Sequence, residues 1–554
     1  MYLLGRYFFR RMFAPLAAVS TLLASTPSSP AAAMFANAAT NGVVNIPGLV
    51  EASGIAASRN NPGVLWAEND AGNPAVVYAI DSQGRLLGTY DLPGNTDNED
   101  IGIGPGPVAN ISYLYVADIG DNNAIRANIA IYQVPEPAVY FQQTNHPVSG
   151  QAMKGMRTIT LTYPDGAHNA ESEFIDPVTG DWFVLTKGST SRIYTAPKAL
   201  LDTSDNIMLS FVRTLNFDVP SGADISPLGS EIIVRQEDFA QLWMRTNGQS
   251  VSSAFAGTPI SIPVTGTANG EPNGEAIGFD YYGSGYFTLS DSEPNGRQPL
   301  RYFARTSFDG PTPPRMLVPM ASAWKFLANG TDQDTGWRSF GFDDSTWSGG
   351  AAQLGYGDGD EQTVVSYGPN ASNKYLTTYF RKTFTATNVN RLAVVTLKLV
   401  VDDGAAIYLN GTSVTNLNVA SDAAYNTPAS GAMPFALRDT WQSFAVDPRL
   451  LREGTNTLAV EVHLASASGN SLSFDLQLLA TEAPFITSIS WLANQAHISL
   501  AGSSNSPTTI QGSPDFMTWT NLNSAILTNG SGVVTDLQTT NLDHRFYRAF
   551  RVVP

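Results

Sequence analysis

The run Glu51-Ala-Ser-Gly-Ile55 returns four more times in altered form, as Asn98-Glu-Asp-Ile101, Asn169-Ala-Glu-Ser-Glu173, Gly222-Ala-Asp-Ile225 and Gly274-Glu-Ala-Ile277. Its oxygen-bearing positions, Ser53, Glu99, Glu171, Asp224 and Glu275, lie 46, 72, 53 and 51 residues apart. Short apolar segments and turns fill each interval. The first cycle reads Ser53–Ser58, the turn Asn60-Asn-Pro-Gly63, Val64-Leu-Trp-Ala67, Val76–Ile80, a second turn Asp81-Ser-Gln-Gly84, and Leu86–Tyr90. Asp176-Pro-Val-Thr-Gly180, Ser226-Pro-Leu-Gly229 and Asp280-Tyr-Tyr-Gly283 stand at the equivalent first turn of later cycles. There Asp, Pro and Gly serve backbone geometry rather than catalysis. Repeats of this length, each worth four short strands, predict the blades of a β-propeller.

Five blades are expected, with six as the alternative because the 72-residue interval is long. The Pro-rich loop Pro135–Pro147 accounts for that excess. The last cycle lacks an evident fourth strand, and the segment Val43–Leu49 is the candidate to supply it and close the ring. At 554 residues the chain exceeds one ordinary domain. The reading is all-β throughout: a signal peptide over 1–36, the propeller over 43–308, a Pro-rich linker over 309–319, a β-sandwich over 320–482 and a small β-sandwich over 483–554.

Composition narrows the function. A formal net charge of −17 disfavours nucleic acid and anionic membranes and suits divalent cations or neutral partners. The chain has no cysteine, which excludes disulfides and thiolate metal sites. Arg6, Arg10 and Arg11, an apolar stretch from Met12 to about Ala24 and Ala31-Ala-Ala33 read as a secretory signal. Export without integral membrane association, as a monomer, is therefore expected.

In a propeller blade the start of the first strand and the end of the second share one face of the disc. The second strands end in Asn69-Asp70, Asp118-Ile-Gly-Asp121, Thr186-Lys187, Arg235-Gln236 and Ser290-Asp291, so these should join Ser53, Glu99, Glu171, Asp224 and Glu275 at one mouth. Four carboxylates and a hydroxyl are hard donors that suit Ca²⁺; without a cation they would share protons or shift their pKa values. Lys187 and Arg235 would hold an anionic group, and Asp100 or Asp118 would position water. The set fits metal-assisted hydrolysis of a phosphate ester or anhydride. A structural polar plug, with the acids paired to Lys187 and Arg235, and a structural calcium without catalysis both stay open. His168 is read as a loop hydrogen-bonding residue.

Ala52-Ser-Gly-Ile-Ala56, Glu99-Asp-Ile101, Tyr113–Asp121, Leu161–Gly166, Gly222–Pro227 and Gly274–Ile277 resemble a bacterial family of secreted, largely uncharacterised propeller proteins. The layout of one oxygen ligand per blade is similar to calcium-activated nucleotidases (apyrases) and, more distantly, to phytase-like propellers. That likeness implies a calcium ion on Ser53, Glu99, Glu171, Asp224 and Glu275, with a phosphorylated small molecule as substrate.

Phe342-Asp-Asp-Ser-Thr-Trp347, Gln353–Asp360, Thr378–Phe384, Val401–Gly411 and Ala459–His463 resemble galactose-binding-like (jelly-roll) β-sandwiches, which implies glycan binding. Trp324, Trp337 and Trp347 are candidates for sugar stacking, with burial in the core as the alternative. Ser513–Thr520 and Arg545-Phe-Tyr-Arg548 resemble a terminal module of Verrucomicrobia-type exported proteins, which implies surface attachment or a spacer. Beside the hydrolase, two readings remain: a non-catalytic binding or adhesion protein recognising extracellular glycans or proteins, and a glycoside hydrolase using paired carboxylates.

Overall fold

The structure is a computed structural model, and it describes residues 34–551 apart from 145–146, 247, 292–296, 307–313, 422, 493–494, 503–506, 515–516, 528–530 and 538–544. The signal segment up to residue 33 and the linker up to residue 313 lie outside the described residues. The chain is all-β; the α-helices are single turns at Lys198–Leu201 and Val251–Ala254. It divides into two compact units, one gathering Phe35–Arg305 with Pro313–Thr481 and the other containing Glu482–Pro554.

Five sheets, each antiparallel through its first four strands, occupy the first 305 residues. Their first strands are Ala52–Ala57, Asn98–Pro105, Ala170–Ile175, Gly222–Ile225 and Gly274–Phe279. Each pairs with the next strand in sequence, and the third and fourth follow outward. In the fifth sheet the fourth strand comes from the N-terminal end: Ala39–Val44 pairs with Gln298–Ala304, placing Val43 opposite Pro299. Only Val43 and Val44 of the expected segment Val43–Leu49 lie in that strand, which starts four residues earlier at Ala39 and ends at Val44.

The long interval holds no sixth sheet among the described residues. After Glu136 the chain makes a 3₁₀ turn at Phe141–Thr144. It then sends Val148–Ala152 back to the first sheet, where that strand pairs in parallel with Leu86–Asp91. The turns between first and second strands carry their glycines in the left-handed region, with Gly229 at φ 69° and Gly283 at φ 74°. Asp280 accepts from the Tyr282 and Ser284 amides at 3.0 and 2.8 Å, the local role expected of such turn acids.

Each first strand packs against two others: Ala52–Ala57 against those of the second and fifth sheets, and Ala170–Ile175 against those of the second and fourth. Gly222–Ile225 and Gly274–Phe279 also pack together. Glycines make this approach possible. A Cβ at Gly54 would collide with the backbone of Asp100 and Ile101, and one at Gly278 with the carbonyl of Ile55. Farther out the sheets bury aromatic and branched side chains between them, including Trp66 and Trp182, both fully buried.

The second β-module is a sandwich of two six-stranded sheets. One runs Ser348–Ala351, Ala323–Leu327, Thr377–Ala386, Gly454–His463, Gly404–Leu409, Thr412–Leu417; the other centres on Leu472–Glu482 and Leu392–Asp402. Arg315–Val318 adds to Leu472–Glu482, so the sandwich begins inside the segment read as linker. Asn410 and Gly411 both have positive φ, as the expected two-residue hairpin turn requires. Trp324, Trp337 and Trp347 are 2%, 0% and 5% exposed, so they belong to the core and none can stack on a sugar.

The sandwich joins the five-sheet module through buried polar contacts. Asn61 Oδ1 accepts from Trp441 Nε1 at 3.1 Å, Ala138 N donates to Asp439 O at 2.7 Å, and Lys154 Nζ meets Asp439 Oδ2 at 2.5 Å. The C-terminal module forms two three-stranded sheets around Ile498, Leu500, Ile510, Leu527 and Val534.

Candidate metal centre

The site is built by a backbone irregularity that four of the five first strands share. In each, one residue is skipped by the pairing register: Ser53, Glu99, Glu171 and Glu275. A bulge of this kind re-aims a side chain out of the sheet. Ser53 Oγ lies 3.1 Å from Glu275 Oε2 and 3.4 Å from Glu99 Oε2, so one hydroxyl hydrogen is shared between two carboxylates from different sheets. Glu171 lies close enough to raise the pKa of both Glu99 and Glu275, and is itself ion-paired with Lys187.

Asp224 is not part of this group. The fourth sheet pairs without a bulge from Gly222 opposite Arg235 to Ile225 opposite Ile232. The Asp224 carboxylate turns onto backbone, accepting from Ile225 N and Phe279 N, each at 2.7 Å. It repeats the role of Asp100, which accepts from Ile101 N and Glu173 N at 2.9 Å and from Ala223 N at 3.3 Å. Ala223 therefore stands where Glu99 stands in the second sheet, and the fourth sheet contributes no carboxylate to the cluster.

Two acids take that place. Asp70, at the end of the second strand of the first sheet, and Asp97, just before the second sheet begins, converge on Glu99, and one oxygen from each lies within 4.8 Å of the others. Asp97 was not among the sequence candidates. Its signal was its spacing, since residues two apart in an extended run share a face and Asp97 precedes Glu99 by two. Gly120 leaves the room: a Cβ there would overlap the carboxylates of both Glu99 and Asp97. The loop is held in place by Asp97 O accepting from Gly120 N at 3.0 Å and by the Asn95 amide donating to Asp70 O at 3.0 Å.

The electrostatics are those of crowded acids. Burial, then the Asp70 charge, pushes Asp97 up to about 6. Burial, then Asp291 and Glu171, pushes Glu275 up to about 8. Burial also raises Asp70, and burial with Glu171 and Asp70 raises Glu99. Among the described residues no Lys, Arg or His forms an ion pair with Asp70, Asp97 or Glu99. Hard oxygen donors in this crowding are the donor set of a divalent cation such as Ca²⁺, and Asp70, Asp97 and Glu99 would hold it, with Ser53 and Glu275 adjoining.

The residues expected to do chemistry have other duties. Arg235 is fully buried, pairing with Glu271 Oε2 at 2.5 Å and donating to Ala276 O at 3.1 Å and Thr265 O at 3.3 Å, so it cannot hold a ligand at the mouth. Asp118 pairs with Arg126 at 2.8 Å and accepts from Asp97 N at 3.2 Å and Thr96 N at 3.3 Å, fixing the loop that carries Asp97. Asp100 is spent on three amides. Lys187 alone remains at the cluster, where Glu171 outweighs burial and holds its pKa above the usual lysine value. His168 bonds Asp165 at 3.0 Å within its loop, as expected.

No protein-family model matches the chain, and no curated protein matches it. Solved structures with local overlap include a β-glycosidase from Bacteroides vulgatus (14% identity, 43% of this chain and 29% of that chain, TM-score 0.22). Others are a calcium-binding mutant of Bacteroides uniformis β-glucuronidase 2 (17%, 44% and 28%, TM-score 0.20) and a nidogen/laminin complex (12%, 43% and 72%, TM-score 0.26). These neighbours are β-rich, and overlaps of this size carry no argument about activity. The matched part spans under a third of the two Bacteroides proteins. Among the described residues no helix is long and apolar enough to cross a membrane.

Proposed function

We propose that this chain is a secreted calcium-binding β-propeller protein, its five sheets closing into a five-bladed ring with one calcium ion at the mouth on Asp70, Asp97 and Glu99. Closure is supported by the cyclic packing of the five first strands and by the N-terminal strand that completes the fifth sheet. One observation carries the cation: three carboxylates, one of them 3% exposed, held within 4.8 Å without an ion-pairing side chain among the described residues. Bringing such charges together costs several kcal/mol unless a cation or protons offset it.

Hydrolysis of a phosphate ester or anhydride rests on that ion. Bound calcium would supply the charge that polarises a phosphoryl oxygen. Lys187 stands beside the cluster and is shared with Glu171. The loss of Arg235, Asp100 and Asp118 to structural duties favours the second reading, a calcium-stabilised binding protein without catalysis. Calcium titration followed by thermal unfolding tests the site. The wild-type chain should gain stability with calcium, and Asp97→Asn with Glu99→Gln should gain none; equal gains in both would overturn the assignment. Turnover of nucleotides or phosphate monoesters that calcium restores after chelation decides between hydrolase and binder.

A further inference from the structure

The five-sheet module and the sandwich meet over a cavity of about 50 Å³. Tyr90, Tyr140, Gln143 and Lys154 line it from the first module, and Asp360 and Asp439 from the sandwich. A space of that size admits only a few waters, so acids that face it are poorly hydrated. Charge across the junction does not balance. Lys154 Nζ meets Asp439 Oδ2 at 2.5 Å and Asp358 Oδ1 at 3.8 Å. Asp360 is left without an ion pair among the described residues, with Asp439, Asp358 and Glu361 around it. Glu361 is occupied by its own turn, accepting from Asp358 N at 2.9 Å and Gly359 N at 3.0 Å. The buried Gln353 side chain, turned so that its amide nitrogen donates, meets the two Asp360 oxygens at 3.2 and 3.0 Å. An amide both donates and accepts, so Gln353 can serve Asp360 ionised or protonated.

A second acid faces Tyr140. Asp475 is fully buried on the strand Leu472–Glu482, where its oxygens accept from Ala321 N at 2.8 Å and Leu476 N at 2.7 Å. Tyr140 approaches it from the five-sheet module and packs its ring 6.4 Å from that of Trp441 in the sandwich. Lys382 acts on Asp475 from the sandwich, yet its Nζ donates to Ala323 O at 2.9 Å. Burial, then Asp439 and Asp358, pushes Asp360 up to about 7, and burial pushes Asp475 up to about 7. Separating the modules removes Tyr140 and lets water in, so both acids fall toward the ordinary carboxylate value of about 4. The docked form therefore holds more protons between about pH 4 and pH 7. Its added stability is complete below that window and is lost as pH rises through it.

We infer that the junction is a proton-dependent latch, in which Asp360 and Asp475 take up protons as the five-sheet module and the sandwich close on each other. Docking is firm in acid and loosens as the medium turns neutral to alkaline. The latch stands apart from the cation reading and does not depend on it. Lys398, near Glu136 in the same junction, is held below the usual lysine value by burial and has the opposite sign. The latch is therefore read as a difference between the chain and its variants.

The Ala138 amide donates across the junction to Asp439 O at 2.7 Å, so its hydrogen exchange reports undocking. In the full chain, followed by mass spectrometry and corrected for intrinsic rates, its protection should fall about tenfold or more from pH 5 to pH 8. In Asp360→Asn with Asp475→Asn, where an uncharged amide stands in for the protonated acid, that fall should shrink to about twofold or less. The strand Thr377–Ala386 should keep its protection in both. Asp360 is half-buried, so Asp360→Asn alone carries the test, with a smaller but measurable reduction, where the double variant fails to fold. Protection of Ala138 that is flat with pH in the wild-type chain, or that falls equally in the variants, would overturn the latch.

Discussion

Gly120→Ala is the sharpest probe of the cluster, because it touches no ligand and changes no charge. The added methyl would occupy space held by the Glu99 and Asp97 carboxylates. Gly120 is not in the left-handed region, so backbone strain does not enter. The side chains must swing away, and overpacking of this kind costs about 1–3 kcal/mol. Disturbing groups that orient metal ligands typically lowers affinity about 10–100-fold. At calcium one hundred times the wild-type Kd, binding stabilises the folded chain by about 2.7 kcal/mol; a 100-fold loss leaves roughly 0.4 kcal/mol. Thermal unfolding with and without calcium should therefore show the stabilisation all but abolished in Gly120→Ala and preserved in Gly341→Ala, where a Cβ meets nothing within 4 Å. Full calcium-dependent stabilisation in Gly120→Ala would refute the placement of the cation on Asp97 and Glu99.

Without calcium, stability should fall as pH rises from about 4 to about 8. Asp97, Asp224 and Glu275 titrate at about 6, 6 and 8 in the folded state, above their ordinary values, so the folded chain holds more protons than the unfolded one across that window. Urea unfolding at a series of pH values, with and without chelator, checks the sign, and calcium should flatten the slope. Arg235→Met should lose up to about 3 kcal/mol in urea unfolding by leaving the buried Glu271 charge with Arg301 alone, 3.3 Å away, with part restored by adding Glu271→Gln and calcium affinity unaltered throughout. Asn61→Ala orphans the Val139 amide and Trp441 Nε1 at the junction with the sandwich, and should cost about 2 kcal/mol or more and separate the two melting transitions in calorimetry.

The strand rhythm was open to reading because alternation and turn chemistry are local. Asp and Gly at 176–180 and 280–283 set their hairpins whatever surrounds them. The odd register of the fourth sheet was also written in the chain: Glu99-Asp-Ile101 has an acid before its Asp-Ile pair, whereas Ala223-Asp-Ile225 has an alanine there. Aligning on Asp-Ile would have matched Asp224 to Asp100 and removed it from the ligands. Asp97 was hidden for a different reason. It precedes its strand, and only the approach of Asp70 from another sheet gives it a partner.

By itself the sequence determined the all-β class, the five repeated first strands, and the presence of acids at their ends. These follow from periodicity and turn residues acting over a few positions. Tertiary structure alone decided which acids meet. A bulge moves a carboxylate across a gap that spacing along the chain cannot measure, and burial commits Arg235 to Glu271 before any ligand arrives. The row of five reduces to Ser53, Glu99 and Glu275, with Glu171 tied to Lys187 nearby. Asp70 and Asp97 complete it, because convergence of charge is a property of distances between sheets.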